Sequence, residues 1–144
     1  KWDLARGRRL SEKGFSSEVK RHLKFIPWAP VVYVSARTGR GVGALLGSAD
    51  RVQKERIKRV TTGELNRLLG RAQKAYAPKA ESGSWDLKIL YGTQVGIAPP
   101  TFVLSLNHPV DLHFSYKRYL ENQIREAFGF AGTPLVLKVR TRRR

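Results

Sequence analysis

The sequence contains no cysteine, which excludes disulfides and thiolate-held metals and fits a reducing compartment. It has no apolar run of membrane-spanning length and opens on no signal-peptide pattern. Acidic residues are scarce: 11 Asp and Glu stand against 28 Lys and Arg, for a formal net charge of +17. That balance favours phosphate-rich partners, rRNA first, then tRNA, DNA and an anionic membrane surface. Phosphate attraction carries no base information, so the charge predicts docking rather than sequence reading. Catalytic constellations are missing too. His22 lies in a basic stretch, while His108 and His113 flank a turn, with no paired carboxylate or Cys at ligand spacing. Ser35 has no G-x-S-x-G around it. No G-x-x-x-x-G-K-S/T occurs, so the residues that cradle β- and γ-phosphates are absent. This stretch alone is therefore expected not to hydrolyse a nucleoside triphosphate.

What is present suits a small core with an additional piece: 144 residues, 41% hydrophobic. The opening Lys1-Trp2-Asp3 is neither a natural start nor a cap, and predicts chain upstream. Glu12 to Phe25 predicts a helix capped by Ser16 or Ser17, with Val19, Leu23 and Ile26 inward. Pro27 and Pro30 end it. Val31 to Ala36 (VVYVSA) is short, apolar and β-branched, as in a strand covered on both faces. Gly39, Gly41 and Gly43 mark a turn, after which Val42, Leu45, Leu46, Ala49 and Val52 recur at helical spacing. Helix, buried strand, turn, helix is the ending of an α/β crossover. Such a piece has no complete core of its own.

Residues 60–144 differ in kind. Thr61 and Glu64 form a capping box, and Leu65, Leu68, Leu69, Ala72 and Tyr76 form one apolar stripe. Lys79 to Ser84 reads as a solvent loop. Leu87 to Tyr91 alternates loosely as a strand. Gly92 to Pro100 reads as a long loop or a distorted strand end, because adjacent prolines cannot sit inside a ladder. Thr101 to Leu106 is a cleaner strand with Phe102, Leu104 and Leu106 on one side. Ser115 is placed to cap a helix with Tyr116, Tyr119, Leu120, Ile124, Ala127 and Phe128 inward. Gly129 ends it in the left-handed conformation. Leu135, Leu137 and Val139 alternate as the last strand. The order α-β-β-α-β predicts an α+β layer pair: a three-stranded sheet with two helices on one face.

Two short motifs carry base-recognition chemistry. Lys1-Trp2-Asp3 matches the last three positions of N-K-x-D, and Ser35-Ala36 matches its usual companion at the end of a strand. An Asp carboxylate can accept both the ring N–H and the exocyclic amine of guanine. The Lys1 stem can cover the base, and the Ala36 N–H can donate to the guanine carbonyl. Gly129-Phe130-Ala131-Gly132 has G-x-x-G spacing but separates a helix from a strand and carries no charge, so it is rejected as a KH clamp. Tyr116, Tyr119 and Phe128 are spaced as core residues rather than base-stacking ones. Candidate phosphate contacts are Arg67, Arg71, Lys74, Arg118, Arg125, Lys138, Arg140 and the terminal Arg142, Arg143 and Arg144.

Over most of its length, from Lys1 to Arg140, the sequence resembles the C-terminal part of the Der (EngA) family of bacterial GTPases. The strings LKILYGTQVGIAPPTFVLSLNHP (Leu87 to Pro109) and HFSYKRYLENQIREAFGFAGTPLVLKVR (His113 to Arg140) carry the likeness. The resemblance implies that residues 1–59 end a second P-loop GTPase (G) domain, with Lys1, Asp3, Ser35 and Ala36 at its guanine site. It implies that residues 60–144 are a KH-like domain lacking a working G-x-x-G loop. GTP or GDP would bind the intact parent, with Mg²⁺ held by residues absent from this sequence; no nucleotide is expected to be held tightly by this stretch alone. The implied partners are the large (50S) ribosomal subunit, its rRNA and the G domains of the same protein, in the cytoplasm and with no membrane. Two other functions fit the residues: an intramolecular regulatory domain without RNA contact, and a free-standing KH-like RNA-binding protein.

Overall fold

The computed structural model describes residues 1–6, 11–78 and 86–141. It divides into two compact units, one of Lys1–Glu55 with Ala131–Thr133, the other of Arg56–Phe130 with Pro134–Arg144. The expected loop at Lys79 to Ser84 and the basic end Arg142 to Arg144 lie outside the described residues.

The first unit holds α1 (Trp2–Arg6), α2 (Glu12–His22) and α3, which begins here and runs Val42–Arg56. Ser11, rather than Ser16 or Ser17, caps α2, its hydroxyl accepting the Gly14 N–H at 3.0 Å. Both expected caps have other work: Ser17 Oγ donates to the Lys13 carbonyl and Ser16 pairs with the Tyr33 hydroxyl. Helix α2 buries no residue, although Val19 is half-buried. The expected strand at Val31 to Ala36 does not form. Val31 to Val34 are half-buried, but a strand is defined by its ladder, and no partner strand exists among the described residues of this unit. On α3, Val42, Leu45, Leu46 and Ala49 are exposed, against expectation, and Val52 is half-buried.

The second unit follows the expected order: α4 (Thr62–Ala75), β1 (Ile89–Gly96), β2 (Thr101–Leu106), α5 (Phe114–Phe128) and β3 (Val136–Thr141). The Thr61–Glu64 capping box is complete in both directions. The sheet runs β1-β2-β3, with β1 antiparallel and β3 parallel to the central β2. Strand β1 continues through Gly92 to Gly96, where a long loop was one of two expectations. Two register shifts, between Ile89 and Tyr91 and between Gln94 and Gly96, distort it, and only residues 97–100 turn the chain. Phe102, Leu104 and Leu106 are buried in strict alternation. They pack with Leu65, Leu68, Leu69, Tyr116, Leu120 and Ile124 of the two helices.

Helix α4 is fitted to β1 in two ways. At Gly92 a Cβ would stand 2.4 Å from Leu69 Cδ1 and 3.2 Å from Leu104 Cδ2, so a glycine there lets the helix approach the strand. Two side-chain amides then close the free edge of β1. Asn66 accepts the Gly92 N–H at 2.9 Å and donates to the Gly92 carbonyl at 2.8 Å. Gln73 does the same for Ile89, at 2.7 and 3.0 Å. Seven helical residues rise roughly 10 Å and three strand residues span about 10 Å, so i, i+7 on the helix meets i, i+3 on the strand. The amides stand in for a fourth strand and blunt the edge.

Helix α5 is capped by His113, not Ser115: Nδ1 accepts the Ser115 N–H at 3.3 Å. The Ser115 hydroxyl instead lies 2.6 Å from the same ring nitrogen. Ala127 is exposed, contrary to the inward placement, while Tyr76 is the exposed C-cap of α4. The α5 tyrosines bind the end of α4: Tyr116 Oη donates to the Tyr76 carbonyl at 3.0 Å and Tyr119 Oη to the Ala72 carbonyl at 3.2 Å. Burial pushes the Tyr116 phenol pKa up. Gly129 ends α5 at positive φ, 90°, with ψ −111° outside the left-handed helical basin.

Candidate guanine-contacting corner and basic faces

In the first unit the backbone builds a corner around Asp3. The Trp2 N–H donates to the Val34 carbonyl at 3.0 Å, and the Ser35 N–H to the Arg40 carbonyl at 2.9 Å. Trp2 is buried, with its ring centroid 5.6 Å from Phe15 and 4.4 Å from Tyr33. These contacts fix α1 against the 31–35 segment. Ser35, fully buried, then donates its hydroxyl to Asp3 Oδ1 at 2.6 Å, and Arg37 Nε lies 3.5 Å from Oδ2. The Ser35 hydrogen bond, with a smaller contribution from Arg37, holds the Asp3 carboxyl below its ordinary pKa despite partial burial.

A carboxylate offers about four lone-pair sites; Ser35 and the Asp3 backbone N–H each take one, and the exposed Arg37 lies beside Oδ2. Lys1 and Ala36 are exposed beside the pair. Asp3, fixed as an anion, is therefore suited to a ligand presenting two adjacent N–H groups, which is what a guanine edge offers. The sequence motifs placed Asp3 and Ser35 in one site; the hydroxyl-to-carboxylate bond between them was not foreseen. Among the described residues no group of three His, Cys, Asp or Glu could hold a metal ion.

The candidate phosphate contacts are distributed over several faces. Arg67, Arg71 and Lys74 sit on α4 at i, i+4 and i+7, all exposed and without a hydrogen bond or ion pair among the described residues. They border an open groove of about 500 Å³ completed by Gly70, Ala127 and Phe128. The acid at its end, Glu64, is engaged by Thr61, whose hydroxyl lies 2.5 Å from Oε2; that bond lowers its carboxyl pKa. Arg118 is exposed on α5. Arg125 has a structural position: half-buried, it donates from Nη1 to the Phe130 carbonyl at 2.6 Å. Burial pulls its pKa down while Glu121 opposes this, and burial pushes the Glu121 carboxyl up. Lys138 and Arg140 are exposed on β3.

The G-x-x-G spacing is consumed by the fold. Phe130 is fully buried, edge-on to Phe102 at 5.8 Å. Gly132, at φ +78°, donates its N–H to the Trp28 carbonyl at 3.1 Å, and a Cβ there would stand 2.3 Å from Val52 Cγ2. Backbone packed this closely is not open to a nucleic-acid strand. Sequence reasoning also passed over Gln94, a buried amide that accepts the Val60 N–H at 2.8 Å and donates to the Lys58 carbonyl at 2.9 Å. Its signal was a lone polar residue whose pairing to Phe102 puts it on the inner face of β1.

Residues 59–140 match the family described as the KH-domain-like, C-terminal part of EngA bacterial GTPase enzymes. The chain is 44% identical over 143 residues to GTPase Der of Citrifermentans bemidjiense, covering 99% of this chain and 32% of the relative. It is 42% identical over 142 residues to GTPase Der of Caldanaerobacter subterraneus subsp. tengcongensis, with the same two coverages. Against GTPase Der of Thermomicrobium roseum it is 46% identical over 147 aligned positions, covering 100% of this chain and 32% of the relative. The chain thus spans about a third of the length of the curated relatives it matches. With its mixed three-stranded sheet under two helices, it belongs to the EngA (Der) family of bacterial GTPases, and residues 59–140 are the family's KH-like part.

Proposed function

We propose that this chain is the C-terminal part of a GTP-binding factor acting in maturation of the large ribosomal subunit, in the cytoplasm. Residues 1–59 end a G domain in which Asp3, steadied by Ser35, contacts guanine together with Lys1 and Ala36. Hydrolysis of GTP, and Mg²⁺, belong to phosphate-binding segments that this sequence does not contain. Residues 60–144 form the KH-like domain, which docks on rRNA through exposed cations and also meets the G domains of the parent.

The observation that carries the RNA reading is the α4 stripe. A solubilising helix face pairs its cations with acids at i±3 or i±4, as Glu18–Arg21 does on α2 and Asp50–Lys54 on α3. Arg71 and Lys74 have no such acid, and Arg67, whose i−3 neighbour Glu64 is engaged by Thr61, makes no ion pair among the described residues, which leaves the three charges available to phosphate. Filter binding of the 144-residue chain to large-subunit rRNA across a salt series tests this. The affinity should fall with salt, and replacing the three by Glu should take about two to three units off the log–log slope. An absent or salt-independent affinity overturns the reading.

A further inference from the structure

The face of the sheet turned away from the helices has a composition of its own. Register places its residues in rows. Tyr91 pairs with Ser105 and Ser105 with Arg140; Thr93 pairs with Val103 and Val103 with Lys138. An aromatic ring therefore stands on one outer strand and two cations on the other, across a floor of small side chains. Two inter-strand spacings make that trough about 10 Å wide. Tyr91 is 48% exposed, with exposed Leu90 and Val95 near it. No described residue stacks on its ring or bonds its hydroxyl, and neither Lys138 nor Arg140 makes an ion pair among the described residues. The three strands, ILYGTQVG, TFVLSL and VLKVRT, contain no acid at all. Beside Lys138 an open groove contains Asp111, whose carboxylate is matched by Lys117 Nζ at 2.6 Å.

We infer that this open sheet face is a binding surface for single-stranded RNA, with an unpaired base stacked on Tyr91 and the flanking phosphates held by Lys138 and Arg140. The inference rests on the reading that this unit meets rRNA, and adds where and in what form. A ring that no described residue covers, facing cations that no described acid neutralises, offers a flat π-surface and phosphate attraction at a separation long side chains can span. A duplex keeps its base faces stacked internally and cannot use the ring. The α4 stripe offers cations, and the aromatic side chain in its groove, Phe128, is half-buried against the core rather than presented as a platform, so the stripe is indifferent to strandedness. The two faces therefore make different predictions.

The test uses the 144-residue chain and a fluorescein-labelled RNA oligonucleotide of about ten nucleotides, single-stranded or annealed to its complement, followed by anisotropy. The single strand should bind more tightly. Tyr91→Ala should weaken single-strand binding by roughly 5- to 100-fold and leave duplex binding unchanged, while Tyr91→Phe retains it. Lys138→Ala and Arg140→Ala should each take about 0.7 off the single-strand salt slope. Equal binding of Tyr91→Ala and the unaltered chain, or equal losses for Tyr91→Ala and Tyr91→Phe, overturns the stacking surface. So do unchanged salt slopes in both cation variants, an observation that does not depend on how Tyr91 variants fold. If large-subunit rRNA still binds while these variants have no effect, the sheet face falls and the RNA reading stands. If the unaltered chain binds neither RNA, both fall.

Discussion

Helices α3 and α4 are nearly equal in length, 15 and 14 residues, and both carry apolar residues, leucines among them, at helical spacing. In α4, Leu65, Leu68 and Leu69 are buried under β1 and α5; in α3, Leu45 and Leu46 face outward. The same contrast runs through the two units. Trp2 is the buried hydrophobic side chain of the first among its described residues, whereas the second holds a continuous core from Leu65 to Leu135. An apolar stripe thus states that a helix must be covered, and the covering elements decide whether it is. In the second unit the sheet and the second helix lie within the same stretch of chain. In the first, the 31–35 segment has no strand beside it among the described residues.

The comparison breaks most directly with one chemical change made at both places. Leu104→Ala removes a fully buried side chain at the centre of the sheet and should cost about 3–5 kcal/mol. Leu46→Ala, at 67% exposure, should cost no more than about 0.5 kcal/mol. Urea unfolding followed by far-ultraviolet circular dichroism separates the two. A large loss at Leu46 would mean that α3 is covered in solution, and the contrast between units would collapse.

A smaller effect is expected at the amide-closed edge. Gln73→Leu keeps the bulk but leaves the Ile89 N–H and carbonyl, now bonded at 2.7 and 3.0 Å, without their partner. About 1–3 kcal/mol should be lost. Faster hydrogen exchange at the Ile89 amide, with Thr101–Leu106 still protected, would place the loss at the edge. Uniform deprotection would show that the amide supports the whole unit instead.

These details mark how far local sequence reaches. The Thr61–Glu64 box and the Phe102, Leu104, Leu106 alternation depend on residues a few positions apart, and both were legible. The order α-β-β-α-β and the mixed fold followed from such segments. Asn66 and Gln73 read as solvent-facing polar residues because their partners, Gly92 and Ile89, are on another element. The His113 cap was missed because an imidazole nitrogen rarely takes the place of a hydroxyl, and Ser115 stood nearby. The segment Val31 to Ala36 has strand composition, but composition does not supply a neighbour to pair with. At the candidate site, the residue types announced Asp3 and Ser35, yet the bond joining them spans 32 positions and needed the fold.

That bond supplies the gentlest probe of the two units, because each holds one carboxylate made more acidic by a hydroxyl. Asp3 is lowered chiefly by Ser35, and Glu64 chiefly by Thr61, three residues away. For both, the folded pKa lies below the unfolded one, so the unfolded chain binds more protons in acid. The stability each contributes is present above its unfolded pKa, near 4, and is lost as pH falls through the folded value. Carbon-13 NMR titration of the side-chain carboxyls should find both below that reference. Ser35→Ala should return Asp3 toward it and leave Glu64 unmoved, since the Thr61 box is closed within one helical turn. Thr61→Ala should do the reverse. If Asp3 already titrates near its ordinary value in the unaltered chain, the corner is not assembled in solution, and only the second unit has the order described for it.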